Sequence, residues 1–326
     1  MCIRDRPGTP PVIGVIGGSG VYDIEGLTNT EWRQIASPFG IPSDELLFGE
    51  LDGQQIVFLP RHGRGHRLPP SGLNFRANIA AMKRAGVTEI LSISAVGSLN
   101  EAYPPGHVVL VDQFIDRTFA RSKTFFDEGC VAHISMADPV CSRLTGHLAS
   151  ALEDIGIDYN RGGTYLVMEG PQFSTRAESH LYRSWDCDVI GMTNMPEAKL
   201  AREAEMCYAT VAMITHYDCW HEDHDDVTIE SVIKILQENA DKARALIKSV
   251  EPKLAGREGA LQEIPEGELV GLLTAMPGRN DALWPALASQ LGERVRSFGV
   301  QASGCAAQRL FGKAFSAWLG HLEPLS

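Results

Sequence analysis

Features that this sequence has little of exclude several classes of protein. Its 326 residues carry 29 basic and 41 acidic side chains, a formal charge of −12, so binding to a nucleic-acid backbone is not expected. No apolar run approaches the thickness of a bilayer, and the first residues lack a signal-peptide pattern. We therefore predict a cytoplasmic protein with neither a membrane nor a nucleic-acid partner.

Cysteine is sparse and scattered. None of the seven cysteines belongs to a CxxC pair, so a zinc site is not expected. Residues 221–226 mix histidines with acids and invite a metal interpretation, but such a run before a helix more often forms a solvated cap. Cys219 has no dedicated base nearby, which favours a buried thiol over a nucleophile. The sequence therefore predicts no metal.

Strands and helices alternate along the chain. Apolar or β-rich runs predict strands at residues 11–16, 55–60, 89–94, 107–112 and 209–214, and helices are predicted at 74–85, 197–205 and 229–250. Strands buried on both faces and separated by helices indicate a parallel or mixed sheet covered on both sides. We predict an α/β fold with one domain over residues 11–295, a disordered leader at 1–10 and a tail of undetermined structure at 296–326.

Polar, glycine-containing turns follow several of the predicted strands, at the place where ligands bind in α/β proteins. The glycines around Ser19 let backbone N–H groups approach an anion. Arg61 and His62 offer donors suited to phosphate oxygens, and Ser94 adds a hydroxyl. For each turn alone, a tight turn, a solvated loop or core packing remains an alternative interpretation.

Two further segments carry groups suited to a flat polar ligand. Phe173 lies on a Gly-Pro turn and could stack on a ring, and Asp218 follows an apolar strand and could accept a hydrogen bond from an exocyclic amine. Residues 190–198 pass from a short strand through Thr193 to the mouth of a helix near Pro196. Taken alone, that segment would be an ordinary connection.

Taken together, these segments resemble one family. The signatures of 5'-methylthioadenosine phosphorylases, which belong to the trimeric purine nucleoside phosphorylase superfamily, are matched in order by residues 13–20, 61–66, 112–118, 169–178, 192–197 and 217–220. The likeness covers about residues 12–250 and continues more weakly over 269–295. It implies a three-layer α/β/α sandwich around a mixed, partly barrel-like sheet, and a homotrimer.

The resemblance also implies a reaction. A pentosyltransferase of this kind converts 5'-methylthioadenosine and phosphate to adenine and 5-methylthioribose 1-phosphate, in purine and methionine salvage. Inorganic phosphate is a co-substrate, and no cofactor is needed. Positioning a dianion against an oxocarbenium-like sugar requires no covalent nucleophile. By the same likeness, six residues would form the phosphate cradle: Ser19, Arg61, His62, Ser94, Ala95 and Thr193.

Residues for the nucleoside follow from the likeness as well. Met192 would pack under the ribose, Phe173 would contact the purine, and Asp218 would bond the exocyclic group of the base. His133 and Met136 are the candidates that would reach the methylthio group from a neighbouring subunit.

One residue departs from the family pattern. Adenine-specific members read Asp-Tyr-Asp before Cys-Trp, whereas His216 takes the first position here and Asp218 the third. A protonated histidine can donate to purine N7, and a neutral one can donate or accept. We therefore predict that His216 and Asp218 are the catalytic pair of a methylthioadenosine phosphorylase that tolerates methylthioinosine.

Two alternatives stay open. One is a methylthioinosine or purine nucleoside phosphorylase that prefers 6-oxopurines, against which Asp218 favours a 6-amino partner. The other is a non-catalytic nucleotide-binding protein, against which the retained Arg61 and His62 argue.

Overall fold

The computed structural model describes residues 11–18, 20–126, 130–221, 229–255 and 271–275. In chain order its strands and α-helices are β1 (Val12–Gly17), β2 (Thr28–Arg33), β3 (Leu46–Leu51), β4 (Gln54–Pro60), α1 (Phe75–Arg84), β5 (Val87–Ser98), β6 (Val108–Val111), β7 (Gln113–Asp116), β8 (Cys130–Ile134), α2 (Ser142–Asp154), β9 (Tyr159–Arg161), β10 (Thr164–Val167), α3 (Arg176–Ser184), β11 (Val189–Gly191), α4 (Asn194–Glu203), β12 (Cys207–Tyr217), α5 (Ile229–Ala255) and β13 (Gly271–Ala275). Ser19, the expected leader at 1–10 and the tail at 296–326 lie outside the described residues.

The long strand β5 is the branch point of the main sheet. It pairs in parallel with β1 and with β12, and its last residues pair antiparallel with β11. One arm runs β5-β1-β4-β3-β2, a second runs β5-β11-β10-β7, and a third runs β5-β12-β6-β9. Because β6 leads into β7 through Asp112 alone, the second and third arms are joined and the sheet curls. The predicted mixed, partly barrel-like sheet is confirmed.

Alternate residues of the central strands face opposite helical layers. In β4, Val57 and Leu59 pack into a cluster that includes Ile79 of α1 and Leu200 of α4. Ile56 and Phe58 point the other way, into a cluster that includes Leu148 of α2 and Leu246 of α5. Each such buried side chain stabilises the fold by about 1.5–3 kcal/mol relative to exposure. The three-layer arrangement is confirmed.

Some elements differ from the sequence expectations. Residues 95–98, which follow the strand predicted at 89–94, continue that strand and form no turn, because β12 pairs with β5 as far as Ser98. Helix α4 begins at Asn194 and not at residue 197, with a kink at Met195. Strand β2 was not predicted because it is an edge strand whose residues are almost all exposed, so it lacks the alternation that marks a half-buried strand.

Two further observations concern only the described part of the chain. None of its helices is long and apolar enough to cross a bilayer. Within the same ranges, no three His, Cys, Asp or Glu side chains lie close enough together to hold a metal ion. Most of residues 221–226 fall outside those ranges, and the domain limits 11–295 stay a prediction.

Glu203, near the end of α4, fastens the preceding segment of the chain to the helix. Its carboxylate accepts hydrogen bonds from the Phe125 N–H at 2.8 Å and the Thr124 hydroxyl at 2.7 Å. Only 5% of the residue is exposed. Burial raises the pKa of Glu203 to about 7, although both hydrogen bonds oppose the rise.

This raised pKa predicts a pH-dependent stability. Between the ordinary glutamate pKa and about 7, the folded protein binds more protons than the unfolded chain, so stability falls as pH rises through that window. Glu203→Gln should reduce the loss of unfolding free energy between pH 5 and pH 8 by on the order of 2 kcal/mol. Urea unfolding at both pH values measures this. An unchanged pH dependence would contradict the assignment.

Candidate active site

Most of the predicted site residues that the structure describes lie at one edge of the sheet. Strands β1, β4, β5 and β12 run in the same direction, so their carboxyl ends lie together. Strand β11 pairs with Gly97 and Ser98 at the end of β5 and thereby brings Met192 and Thr193 to the same edge. Ligand sites of α/β proteins form at such edges.

Arg61 and Glu197 form a buried ion pair at this edge. Arg61 Nε donates to Glu197 Oε2 at 2.8 Å, and Nη2 donates to Oε1 at 2.9 Å. The side chains are 3% and 1% exposed. Burial alone would lower the pKa of Arg61, but the Glu197 carboxylate raises it above its ordinary value. Glu197 lies in the first turn of α4 as expected, and its charge is committed to Arg61.

Polar neighbours complete this pair. Ser92 and Tyr208 donate to Glu197 Oε1, each at 2.8 Å, and Arg61 Nη1 donates to the Ile93 carbonyl at 3.0 Å. These bonds satisfy most of the hydrogen-bonding capacity of the two ions, which a buried ion pair needs if it is to be tolerated.

Asn194 extends the network to Ser94. Its Oδ1 accepts from the Ser94 hydroxyl at 2.8 Å, while Nδ2 donates to Tyr208 and to the Thr210 hydroxyl. The sequence does not indicate a role for Asn194, because its partners lie on two other strands, β5 and β12. The Ser94 hydroxyl, predicted for phosphate, here donates to an amide oxygen.

His62 begins the loop that follows β4. Its Nδ1 lies 2.8 Å from the Leu68 carbonyl, so this nitrogen carries the proton, and the ring stacks on His66 with centroids 4.3 Å apart. Burial chiefly lowers the pKa of His62 to about 4, and the charge of Arg61 lowers it further. His62 is therefore neutral at pH 7. A side chain at Gly63, where φ is +72°, would press on the Ser43 carbonyl.

Ala95 and Thr193 are two further members of the predicted cradle, and Thr193 is only 7% exposed. Ala95 is exposed within the otherwise largely buried β5. Thr193 precedes α4, and its side chain makes no capping hydrogen bond. The predicted role of these two residues in holding phosphate stays a prediction. Ser19, the remaining member of the predicted cradle, is outside the described residues.

Of the residues predicted for the base, His216 and Asp218 lie at the end of β12, and Phe173 lies in the loop between β10 and α3. The Asp218 N–H donates to the Ser98 carbonyl at 2.9 Å, which fixes the backbone there. Asp218 is 3% exposed, and among the described residues its Oδ2 has no hydrogen-bond partner. Phe173 is 72% exposed and meets the His216 ring edge to face, with centroids 6.0 Å apart. The three predicted base contacts thus share one end of the site.

His133 and Met136 belong to a different part of the fold. His133 is exposed on β8, which pairs with β13 outside the main sheet, and Met136 packs partly against the core. The structure contains one chain, so their predicted role at a neighbouring subunit's site stays a prediction.

Arg121 is a residue that the sequence analysis missed. Its guanidinium donates to the carbonyls of Met192, Met195 and Glu169 at 2.6–2.7 Å. It thereby joins the loop after β10 to the start of α4 and holds the backbone of Met192. A lone arginine past residue 118 carries no pattern that would have identified it.

Comparison with known proteins agrees with this geometry. The profile of the Phosphorylase superfamily matches residues 12–250. The S-methyl-5'-thioadenosine phosphorylase of Rhodospirillum rubrum is 60% identical over 281 residues, covering 86% of this chain and 95% of that protein. The protein of the same name from Bradyrhizobium diazoefficiens is 55% identical over 286 residues, covering 83% and 98%.

Solved structures agree as well. A methylthioadenosine phosphorylase sourced from an antarctic soil metagenomic library superposes with a TM-score of 0.71 at 50% identity, covering 74% of this chain and 85% of that one. The methylthioadenosine phosphorylase of Schistosoma mansoni in complex with tubercidin gives 0.70 at 34% identity, covering 74% and 91%.

Removing one charge of the buried pair should destabilise the protein. Glu197→Gln leaves the buried Arg61 without its counter-charge, so we expect a loss of about 3–5 kcal/mol in unfolding free energy. The same substitution at the exposed Glu50 is the matched control and should change stability by less than about 0.5 kcal/mol. Urea unfolding measures both. Equal effects of the two substitutions would contradict the importance of the pair.

Proposed function

Because the chain belongs to the phosphorylase superfamily, we propose that it catalyses the phosphorolysis of S-methyl-5'-thioadenosine to adenine and 5-methylthioribose 1-phosphate. Relatives at 54–60% identity bear the name of this activity. The single observation in the site that favours an adenine base is Asp218, whose buried Oδ2 needs a hydrogen-bond donor. A 6-amino group supplies that donor, and a 6-oxo group does not.

In the proposed reaction, phosphate sits between Ala95, Thr193 and the start of α4, below the sugar. Its oxygen attacks the anomeric carbon as the bond to N9 breaks. The chain contributes position and oriented donors, and no covalent nucleophile takes part. Because Nδ1 of neutral His62 donates to the Leu68 carbonyl, its Nε2 can only accept, from the O–H group of hydrogen phosphate, and the ring brings no positive charge. Met192, whose carbonyl is held by Arg121, forms the floor under the ribose.

The departing base is held by Phe173, Asp218 and His216. Phe173 contacts the purine face through its exposed ring. Asp218 accepts from the exocyclic amine, and protonated His216 donates to N7 as negative charge develops on the base.

Assembly and environment are parts of the same proposal. We propose a cytoplasmic homotrimer in which His133 and Met136 of one subunit approach the methylthio group in the next. The enzyme needs phosphate as co-substrate and no cofactor, and neither nucleic acid nor a membrane is its partner.

A second candidate function has one observation in its favour. His216 stands where adenine-specific family members have an acid. Because a histidine can donate to O6 or N7, methylthioinosine is the competing substrate.

The discriminating experiment measures base release by the purified full-length protein. With methylthioadenosine we expect adenine to form only when phosphate is present, with an equal amount of the sugar phosphate. Methylthioinosine should react with a lower kcat/KM. A preference for methylthioinosine above tenfold would establish the 6-oxopurine alternative. Binding of the nucleoside with no phosphate-dependent release would establish a non-catalytic binding protein.

Asp218→Asn tests the carboxylate directly. The substitution replaces the charged carboxylate by a neutral amide, which accepts a hydrogen bond from the exocyclic amine more weakly. We therefore expect kcat/KM for methylthioadenosine to fall by about 100-fold, which corresponds to about 3 kcal/mol of transition-state stabilisation. The ratio of kcat/KM for methylthioadenosine to that for methylthioinosine should fall with it, because an amide can donate to O6. Asp241→Asn, at an exposed position of α5, is the matched control. An unchanged ratio would count against Asp218 as the contact to the base.

A further inference from the structure

A β-bulge in β12 brings two consecutive side chains together. Ile214 pairs with Val96 of β5, but the next paired residue is His216, opposite Gly97. Thr215 is therefore the extra residue, and the alternation of faces is broken at this point. Bulges of this kind re-aim side chains beside active sites. As a result the Thr215 hydroxyl lies 2.8 Å from Nδ1 of its neighbour His216.

The hydrogen bonds of Thr215 indicate which nitrogen of the His216 ring carries a proton. The Thr215 hydroxyl lies 3.2 Å from the Val96 carbonyl and is placed to donate to it. The oxygen is then the acceptor toward the ring, so His216 Nδ1 carries a proton in the neutral and the protonated imidazole alike. Thr215 is 4% exposed, which keeps water from competing for either bond. A proton delivered from this ring must therefore leave from Nε2.

Gly97 makes room for the ring on the cleft side of β5. Alternate residues of a strand share a face, so Gly97 lies on the same face as the exposed Ala95. A Cβ at residue 97 would lie 3.2 Å from Nε2 of His216. The imidazole of His216 thus occupies space beside β5 that a side chain at residue 97 would otherwise fill.

We propose that Thr215 is the positioning residue that holds His216 with Nε2 as the proton donor to N7 of the leaving base. This inference rests on the proposed function. His216 takes the role of the aspartate that the family pattern has at this position. Thr215 orients the His216 ring. Thr215 itself does not touch the substrate.

Phosphorolysis breaks one bond to the anomeric carbon, forms another and moves one proton to the base. An oxygen of hydrogen phosphate forms the bond to the anomeric carbon, and the electron pair of the breaking bond passes to the purine. The purine takes the Nε2 proton at N7, which leaves neutral His216 protonated on Nδ1 and bonded to Thr215. The proton that phosphate loses on becoming an ester returns through solvent to His216, so neutral adenine and the sugar phosphate dianion are the products.

The test compares two substrates that differ in their need for a proton. Fluorine at C2 of the adenine makes the departing base a weaker base, so its release depends less on a donor at N7. Thr215→Val removes the acceptor and keeps the shape, Thr215→Ser keeps the acceptor, and Thr88→Val is the matched control at the opposite end of β5. The readout is kcat/KM for methylthioadenosine and for its 2-fluoro analogue.

We expect Thr215→Val to lose about tenfold or more in kcat/KM with methylthioadenosine but less than about threefold with the 2-fluoro analogue, since general acid catalysis contributes about 100-fold or more in total. Thr215→Ser and Thr88→Val should stay within about threefold of the wild type on both substrates. Equal losses on the two substrates, or no loss, would overturn the inference and assign Thr215 to packing alone.

Gly97→Ala is a second, independent test if Thr215→Val does not fold. Its Cβ displaces the ring and should reproduce the substrate-dependent loss, and equal losses on both substrates would again overturn the inference. The wild-type rate on methylthioadenosine is measured in the same assay. Its absence would contradict the proposed function itself, whereas substrate-independent losses in the variants contradict only the role of Thr215.

Discussion

The buried ion pair of Arg61 and Glu197 is the interaction on which the candidate site depends. It joins the end of β4 to the first turn of α4 across the middle of the sheet. Removing two charges from water is costly in free energy. Attraction between the two charges and the hydrogen bonds that Ser92 and Tyr208 donate to Glu197 offset this cost. The geometry of the pair therefore sets where α4 begins, and with it the position of Thr193 and Asn194.

The Arg61–Glu197 pair has a consequence for the charge of the proposed phosphate region. The cation of Arg61 is largely matched by Glu197, and His62 is neutral because burial lowers its pKa to about 4. In the proposed reaction, a phosphate held here would be bound by oriented N–H and O–H donors more than by net positive charge. Donors fixed before the reaction need little reorganisation, which is the form of catalysis that phosphorolysis requires. Asp218, the predicted contact to the base, is likewise fixed in advance, because its N–H donates to the Ser98 carbonyl.

The sequence predicted the parts of the molecule that depend on local pattern. β1, β4 and the core of β12 are continuous apolar runs and were placed to within a few residues. The strand-end residues were identified because their motifs resemble those of a known family. The roles of Asn194, Arg121 and Thr215 were not predicted, because each depends on a partner far away in sequence or on a bulge that shifts the strand register. The helix predicted over residues 197–205 places Glu197 in its first turn, but nothing local indicates a partner 136 residues away.

The most direct test is a crystal structure with phosphate and an uncleavable methylthioadenosine analogue. We expect phosphate between Ala95 and Thr193, with the Arg61–Glu197 pair intact. We also expect the exocyclic amine within hydrogen-bond distance of Asp218 Oδ2, and N7 facing His216 Nε2. Phosphate bound by a guanidinium that has left Glu197, or a purine whose amine points away from Asp218, would contradict these expectations.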